Sequence, residues 1–365
     1  MDAPAPAQAK PQANTLDPEK LDALLTRAVA DLSAGYGGVM MSLGNRLGLF
    51  KAMAGAGPLS AVELAGRTGC AERYLREWLN SQVAGGYVAY HAISDTYELT
   101  PEQAFVLADE DSPAFMPNAW AVPASMWFDE DKAIDAFRSG KGIPWGDHDE
   151  RLYCGVASFY RNAYRGSLVA EWLPALDGVV DKLRAGALVA DVGCGHGHST
   201  ALMAEAFPAS RFLGFDTHAE SIAVAHRIAT AAGVAERTTF ATARADDYPG
   251  KGYDLICFFD CLHDMGDPLA AARHAAEALA PDGTVLLVEP FANDRIEDNV
   301  SPVARVYYAA STMLCCAHAI SEGGRMVLGA QAGEGRLAEL FRKAGFSRFR
   351  RAAETPFNLI LEARL

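Results

Sequence analysis

The sequence predicts two domains of different kinds: a mostly α-helical, winged-helix-like front and a doubly wound α/β domain behind it. Three observations carry that expectation. The chain has 365 residues, 50% of them hydrophobic, which is more than one ordinary core of about 150 residues needs. Up to about Leu107 the apolar residues recur at helical spacing, with breaks at Gly44, at Gly55-Ala56-Gly57-Pro58 and at Gly85-Gly86. After Gly186, near-continuous apolar runs alternate with helical stretches, the pattern of a parallel sheet covered on both faces.

Residues 1–20, MDAPAPAQAKPQANTLDPEK, are biased toward Ala, Pro and Gln and hold no apolar run of the length a secretion signal needs. They are expected to be a disordered tail on a cytoplasmic protein. Residues 21–110 form the front domain. There, LSAVELAGRTG is a short helix opened by Ser60 with Glu63 three residues later, a capping box. CAERYLREWLNSQVAG is a second helix after a turn at Gly69, and YVAYHAISDTYELT alternates as a hairpin around Ser94-Asp95. That order is the winged-helix order, in which the second helix can enter a DNA major groove.

Charge argues against nucleic acid. The net charge is −14, and residues 1–110 carry eight Lys and Arg against thirteen Asp and Glu, or −5. Phosphate contacts need clustered cations. The second helix offers Arg73 and Arg76 but also Glu72 and Glu77, and its Tyr74, Leu75, Trp78 and Leu79 suit packing. The front domain is therefore expected to pack against protein, as in a dimer.

Residues 111–185 form an aromatic-rich helical connector with Trp120, Trp127, Phe128, Trp145, Phe159, Tyr160, Tyr164 and Trp172. Residues 186–365 form the α/β domain, with ALVADV, RFLGFD, TTFATA, YDLICFF and TVLLVEP as strands and TALMAEAF, SIAVAHRIATAAG and LAAARHAAEALA as helices. A helical insertion is expected over 291–332. Its most apolar part, Pro302 to Ile320, is interrupted by Arg305 and several hydroxyls, so it reads as a buried helix and not a membrane span. The tail FSRFRRAAETPFNLILEARL gives two strands joined near Glu354 to Pro356. Seven cysteines without a CxxC pair read as reduced thiols, and no metal site is assigned.

The stretch VADVGCGHGHS sets three glycines behind the first strand of this domain. The dinucleotide pattern GxGxxG fails in both registers, since its sixth position is His198 counted from Gly193 and Thr200 counted from Gly195. Asp191 puts a carboxylate beside the loop, which suits a ligand with ammonium and sulfonium groups better than a diphosphate. The loop therefore favours S-adenosylmethionine over NAD. Asp216 closes the second strand nineteen residues beyond Gly197, where an acid can accept hydrogen bonds from ribose hydroxyls.

VADVGCGHG, FLGFD, YDLICFFDCLHDMGDP and APDGTVLLVEP, in that order, resemble the successive motifs of class I S-adenosylmethionine-dependent methyltransferases. With the winged front, the chain from about residue 25 resembles the plant-type small-molecule O-methyltransferases and their bacterial and mycobacterial relatives. The resemblance implies a Rossmann-like seven-stranded sheet with its last strand antiparallel, and a homodimer made through the N-terminal domain. It places Gly193, Gly195 and Gly197 on the cofactor loop, Asp191 on its acidic lead-in and Asp216 on the ribose. Where many relatives have Gly-Asp-Ala after the third strand, for adenine, this chain has Ala243-Arg244-Ala245; Asp246 or Asp247 would substitute after a small shift. Phe259, ending the fourth strand, would pack on the cofactor.

His263 in CLHDMGDP follows that strand, at the edge where open α/β sheets bind ligands. It resembles the catalytic base of the His-Asp-Trp segment, although Met265 replaces the tryptophan. A neutral imidazole suits the task of deprotonating a phenol. Glu289 matches the glutamate that orients that base. A second flanking glutamate is not evident; Gln331 and Glu334 lie near its place, and Asp264 reads as a local cap. Tyr160, Arg161 and Tyr164 match the segment that folds over the cofactor's methionine end. His148 lies nearby, and Cys315, Cys316 and His318 could hold a thiophilic metalloid or simply fill a core. Glu322 to Gly335 is expected to be a mobile loop by the site.

The expected activity is methyl transfer from S-adenosylmethionine to a small, partly aromatic or apolar acceptor at oxygen. Two alternatives stand beside it: N- or C-methylation with His263 only positioning the acceptor, and a winged-helix regulator sensing a ligand through a degenerate methyltransferase domain.

Overall fold

The computed structural model describes residues 16–365. Residues 1–15 of the expected tail lie outside the described residues. The rest of that tail is not disordered: helix α1 spans Pro18–Arg46, and the Asp17 carboxylate caps it by accepting from the Glu19 and Lys20 amides at 3.0 and 3.3 Å. An acid before a proline at the first helical position is a start signal that the tail's composition hid.

The chain divides into a unit ending at Ala104 and a unit beginning at Phe105, so the aromatic connector belongs with the second. In the first unit, α1 is followed by α2 (Leu49–Met53), α3 (Ala61–Thr68), α4 (Glu72–Ala84) and the hairpin β1 (Ala89–His91) and β2 (Thr96–Glu98). The capping box forms as expected, with Ser60 and Glu63 each accepting from the other's amide. Gly44 lets α1 touch its neighbours: a Cβ there would lie 2.5 Å from the Trp78 ring and 2.6 Å from Phe50. Helix α5 (Pro101–Leu107) runs across the division.

In the second unit, helices α6 (Ala121–Phe128), α7 (Glu130–Ser139), α8 (Arg151–Ala163) and α9 (Val179–Ala185) precede the sheet. A π-helical run, Tyr164–Trp172, continues α8. The sheet then builds from β3 (Leu188–Val192), α10 (His198–Ala206), β4 (Arg211–Asp216), α11 (Ala219–Ala231), β5 (Thr238–Thr242), β6 (Tyr253–Phe259), α12 (Pro268–Ala278) and β7 (Leu279–Pro290). The insertion holds α13 (Pro302–Ala310), a π-helical turn (Ser311–Cys315) and α14 (Cys316–Ser321), and α15 (Glu334–Ala344) leads to β8 (Arg348–Glu354) and β9 (Asn358–Arg364).

The seven strands lie in the order β5-β4-β3-β6-β7-β9-β8. The last strand, β9, inserts between β7 and β8 and runs antiparallel to both. Alternation splits the core between the two faces: Leu255, Cys257 and Phe259 of β6 enter one cluster, Ile256 and Phe258 the other. Strand order reverses between β3 and β6, which opens a crevice at their carboxyl ends. No helix among the described residues is long and apolar enough to cross a membrane.

Candidate active site

Strand β3 delivers Asp191 and ends before the glycine loop. Gly193, Gly195 and Gly197 all have positive φ, at 76°, 51° and 74°, a region that costs other residues about 1–2 kcal/mol. Their missing side chains serve different ends. A Cβ on Gly193 would lie 2.6 Å from Cys261 Sγ, and one on Gly197 2.8 Å from Ala225, but one on Gly195 meets nothing within 4 Å. Gly193 and Gly197 let the loop pack, while Gly195 leaves bare backbone open to an approaching ligand.

Two carboxylates frame that loop. Asp216 accepts from the Gly195 and His218 amides, each at 2.9 Å, so it fixes the loop's shape and still has lone pairs for hydroxyl donors. Asp191 is buried, and its Oδ2 accepts from the Ser199 and Thr200 hydroxyls at 2.7 and 2.5 Å. Burial, outweighing those two hydroxyls, pushes its carboxyl up to about 6. Its Oδ1 is buried without a partner. A cationic ligand beside the loop would offset that cost, so these residues fit the ammonium and sulfonium of S-adenosylmethionine. The turn after β5 reaches the same edge, where the Ala243 amide donates to Asp216 O at 3.0 Å. Asp246 is engaged there by Arg244 Nε at 2.9 Å.

An aromatic wall adjoins the loop. The Phe259 ring is 5.4 Å from Tyr164, which stacks on Tyr160 at 6.0 Å and meets Trp172 edge-on at 6.0 Å. Burial first, and the Asp260 charge second, push both phenols well above their usual range. Arg161 is not part of this stack; it donates to Glu110 O at 3.3 Å and to Asn162 Oδ1 at 3.4 Å.

A buried acid–base cluster follows β6. His263 sits on a 3-10 turn, Leu262–Asp264, with its Nδ1 2.6 Å from Glu289 Oε2 and its Nε2 3.1 Å from Asp264 Oδ1. Burial alone would lower its pKa, but Asp264 and then Glu289 outweigh it and hold the imidazole well above the usual histidine range. Two residues earlier, Cys261 Sγ donates to Val192 O at 3.1 Å, which ties this turn to the glycine loop. The strap 322–335 is held against the turn: Gly329 N–H donates to His263 O at 3.2 Å, Met326 N–H to Gly266 O at 3.3 Å, and Gly266 N–H to Glu322 at 3.0 Å. An imidazole with one nitrogen on a buried glutamate can take a proton at the other.

Several sequence expectations are redrawn here. Neither Gln331 nor Glu334 is the second acid: Gln331 donates to Phe291 O, and Glu334 pairs with Arg351. Asp264 stands at Nε2 instead. Nor is Asp264 a cap, because α12 starts at Pro268 and Asp267 caps it by accepting from the Ala270 amide. The residues Cys315, Cys316 and His318 diverge. Cys315 faces His263 and Asp264, Cys316 meets Ser311 at 3.4 Å, and His318 accepts from the Trp145 amide at 3.2 Å. His148 pairs with Asp129 at 2.9 Å.

Sequence reasoning missed Asp260. This residue has φ 49°, its Oδ1 accepts from Asn358 Nδ2 at 2.7 Å, and its Oδ2 is buried without a partner. Burial first and Glu289 second push its carboxyl well above the usual range. An acid breaking the apolar run FFDCL was the available signal, since a left-handed non-glycine residue beside an unsatisfied carboxyl often marks a functional position.

A family model described as a methyltransferase domain matches residues 162–351, just over half of the chain, and one described as an Rv2258c-like winged HTH domain matches residues 35–109. Trans-aconitate 2-methyltransferase of Streptomyces avermitilis is 34% identical over 105 residues, 28% of this chain and 39% of that protein. The 27-O-demethylrifamycin SV methyltransferase of Amycolatopsis mediterranei is 33% identical over 107 residues, 29% of this chain and 39% of that protein. The chain thus spans about two fifths of the length of the curated relatives it matches. Solved structures align over nearly the whole chain. Human N-acetylserotonin methyltransferase, in complex with S-adenosylmethionine, has a TM-score of 0.70 at 18% identity, covering 93% of this chain and 97% of its own. Mitomycin 7-O-methyltransferase has a TM-score of 0.67 at 20% identity, covering 95% and 100%. At those identities the likeness is one of fold.

Proposed function

This chain belongs to the class I S-adenosylmethionine-dependent methyltransferases, and from that premise we propose that it methylates a small, partly aromatic acceptor at oxygen with His263 as general base. The observation that carries the reading is the 2.6 Å contact between His263 Nδ1 and Glu289 on the turn tied to the glycine loop. S-adenosylmethionine supplies an activated methyl carbon on a sulfonium. The chain's part is to hold the acceptor oxygen in line and free of water. Gly193, Gly195, Gly197, Asp191 and Asp216 would seat the cofactor, with Phe259 against it and Asp246 the candidate for adenine once released from Arg244. Tyr160 and Tyr164 would wall the acceptor. Glu289 fixes the imidazole so that Nε2 takes the hydroxyl proton as the methyl group arrives.

The neighbour that acts at O-7 of mitomycin supports oxygen as the target. The 3.1 Å approach of Asp264 to Nε2 supports a second reading, in which the imidazole is held by carboxylates on both sides and only positions an N- or C-acceptor. His263→Ala decides between them. For O-methylation, turnover falls about 10²–10⁴-fold with cofactor affinity by calorimetry unchanged. The wild-type rate rises with pH above neutrality, because the base must first lose a proton that its carboxylates hold. Near-full activity in the variant would remove the base from the mechanism.

The front unit serves dimerisation in this reading. Leu21, Leu25, Val29, Leu32, Tyr36, Val39 and Leu43 of α1 are exposed at spacings of three and four, an apolar stripe that the other described residues leave uncovered. Leu25→Glu with Leu32→Glu is expected to give a monomer by light scattering; a dimer of unchanged affinity would place the interface elsewhere. The free cysteines support a reducing, cytoplasmic setting.

A further inference from the structure

The His263 turn also carries a set of metal-ligating groups, two of which, Asp264 and Cys315, have no part in the proposed methyl transfer. His263, Asp264 and Cys315 each offer one atom, and the three lie within 4.8 Å of one another. They are an imidazole nitrogen, a carboxylate oxygen and a thiol sulfur. With metal–ligand bonds of about 2.0–2.3 Å, a tetrahedral zinc site has ligand-to-ligand edges of about 3.3–3.6 Å. The Nε2–Oδ1 separation is already 3.1 Å, so the sulfur needs to close in by little more than an ångström at most.

Two independent features fit a cation there. Asp264 Oδ1 is buried and faces the His263 Nε2 at 3.1 Å without a well-formed hydrogen bond, so an ion that replaces the imidazole proton would keep its charge compensated. Nδ1 of His263 rests on Glu289 at 2.6 Å, which leaves Nε2 as the coordinating nitrogen; a carboxylate behind a histidine in this way orients metal-bound imidazoles. The sulfur comes from the last residue of the π-helical turn in the insertion, and it selects thiophilic ions over magnesium or calcium.

We propose that His263, Asp264 and Cys315 form a binding site for one zinc-type divalent cation, with three protein ligands and a fourth position open. On binding, Cys315 Sγ and His263 Nε2 each give a proton to solvent, the sulfur bonding to the ion as a thiolate and the nitrogen as a neutral imidazole; nothing is oxidised or reduced. The site stands on its ligands alone and does not depend on methyl transfer. Its consequence for turnover rests on the reading of His263 as base. An ion on Nε2 blocks the nitrogen that takes the acceptor's proton, so cation and acceptor exclude each other and the ion acts as a reversible inhibitor.

Cobalt(II), added to the full-length protein after chelator and reductant have been removed, tests the site. One Co²⁺ per chain is expected, with a near-ultraviolet thiolate-to-cobalt band. Cys315→Ser abolishes that band and weakens binding at least tenfold. Asp264→Asn weakens binding at least tenfold but keeps the band, and Cys316→Ser leaves both unchanged. Calorimetry with S-adenosylmethionine confirms that each variant is folded. Absence of the band in the wild-type protein, or its survival in Cys315→Ser, overturns the site. In the activity assay, Zn²⁺ is expected to inhibit in step with occupancy and a chelator to restore turnover. A protein that binds Co²⁺ at Cys315 yet turns over normally with Zn²⁺ bound would refute the base and leave the ion site standing.

Discussion

The glycine loop and the His263 cluster occupy neighbouring carboxyl ends of one sheet, yet they are assembled in opposite ways. The loop is local: Asp191, three glycines, Ser199 and Thr200 follow one another along ten residues, and Asp216 arrives one strand later. The cluster is stitched together from a distance, with Glu289, Cys315 and Asn358 brought to residues 260–264 from separate strands and from the insertion. The first site leaves one buried oxygen, Asp191 Oδ1, without a partner. The second keeps Asp260 Oδ2, Asp264 Oδ1 and Glu289 Oε1 buried without hydrogen bonds, only Asp264 Oδ1 having an ion-pair contact, to His263. Under the proposed function, a locally encoded cofactor seat would lie beside an acceptor end assembled from a distance, which makes affinity and selectivity separable.

The harshest test of that contrast is Gly195→Val. A β-branched residue at φ 51° carries about 1–2 kcal/mol of strain, and its branches fill the open side of the loop. The cofactor Kd, read by calorimetry, should rise about a hundredfold. An unchanged value would mean that the ligand does not lie on Gly195. A milder probe is pH. In the free protein, burial holds Asp191 at about 6, so its carboxylate becomes protonated as pH falls through that value and no longer faces the cation. Affinity should then weaken by at most tenfold per pH unit below about 6, and Asp191→Asn should flatten the profile. A wild-type profile already flat between pH 5 and 7 would detach Asp191 from the cofactor.

The smallest effect belongs to the other end. The Asp260 carboxyl sits well above its unfolded value of about 3.9, so the native state keeps a proton that the unfolded chain loses, and wild-type stability drops as pH rises past that value. Asp260→Asn keeps the Asn358 contact and removes that loss. The variant should gain on the wild type between pH 4 and 7, by about 2–4 °C in Tm for each kcal/mol recovered. A constant difference across that range would show that Asp260 is ionised in the folded protein.

The same contrast governs what could be read in advance. Strand and helix order, the hairpin, the capping box and the glycine loop were legible because each is encoded within a few residues, by period, cap or spacing. Helix α1 was cut short at its start because Pro and Asp in an Ala-rich context read as tail, although together they begin a helix. Glu289 was found only through resemblance. Asp264, Cys315 and Asp260 acquire their roles from tertiary neighbours that no local pattern announces. Asp264 in particular was assigned to a cap because a helix follows it, and the helix proved to start four residues later, with its own acid at Asp267.

Strand β9 has a consequence for biosynthesis. It fills the gap between β7 and β8 and brings Asn358 to Asp260, so the sheet closes around a segment that leaves the ribosome after every other strand. Until then the nascent domain holds a complete glycine loop but a bare β7 edge, the kind of edge that recruits foreign strands. A chain stalled before residue 358 would hold every residue of the glycine loop while lacking the Asn358 contact to Asp260.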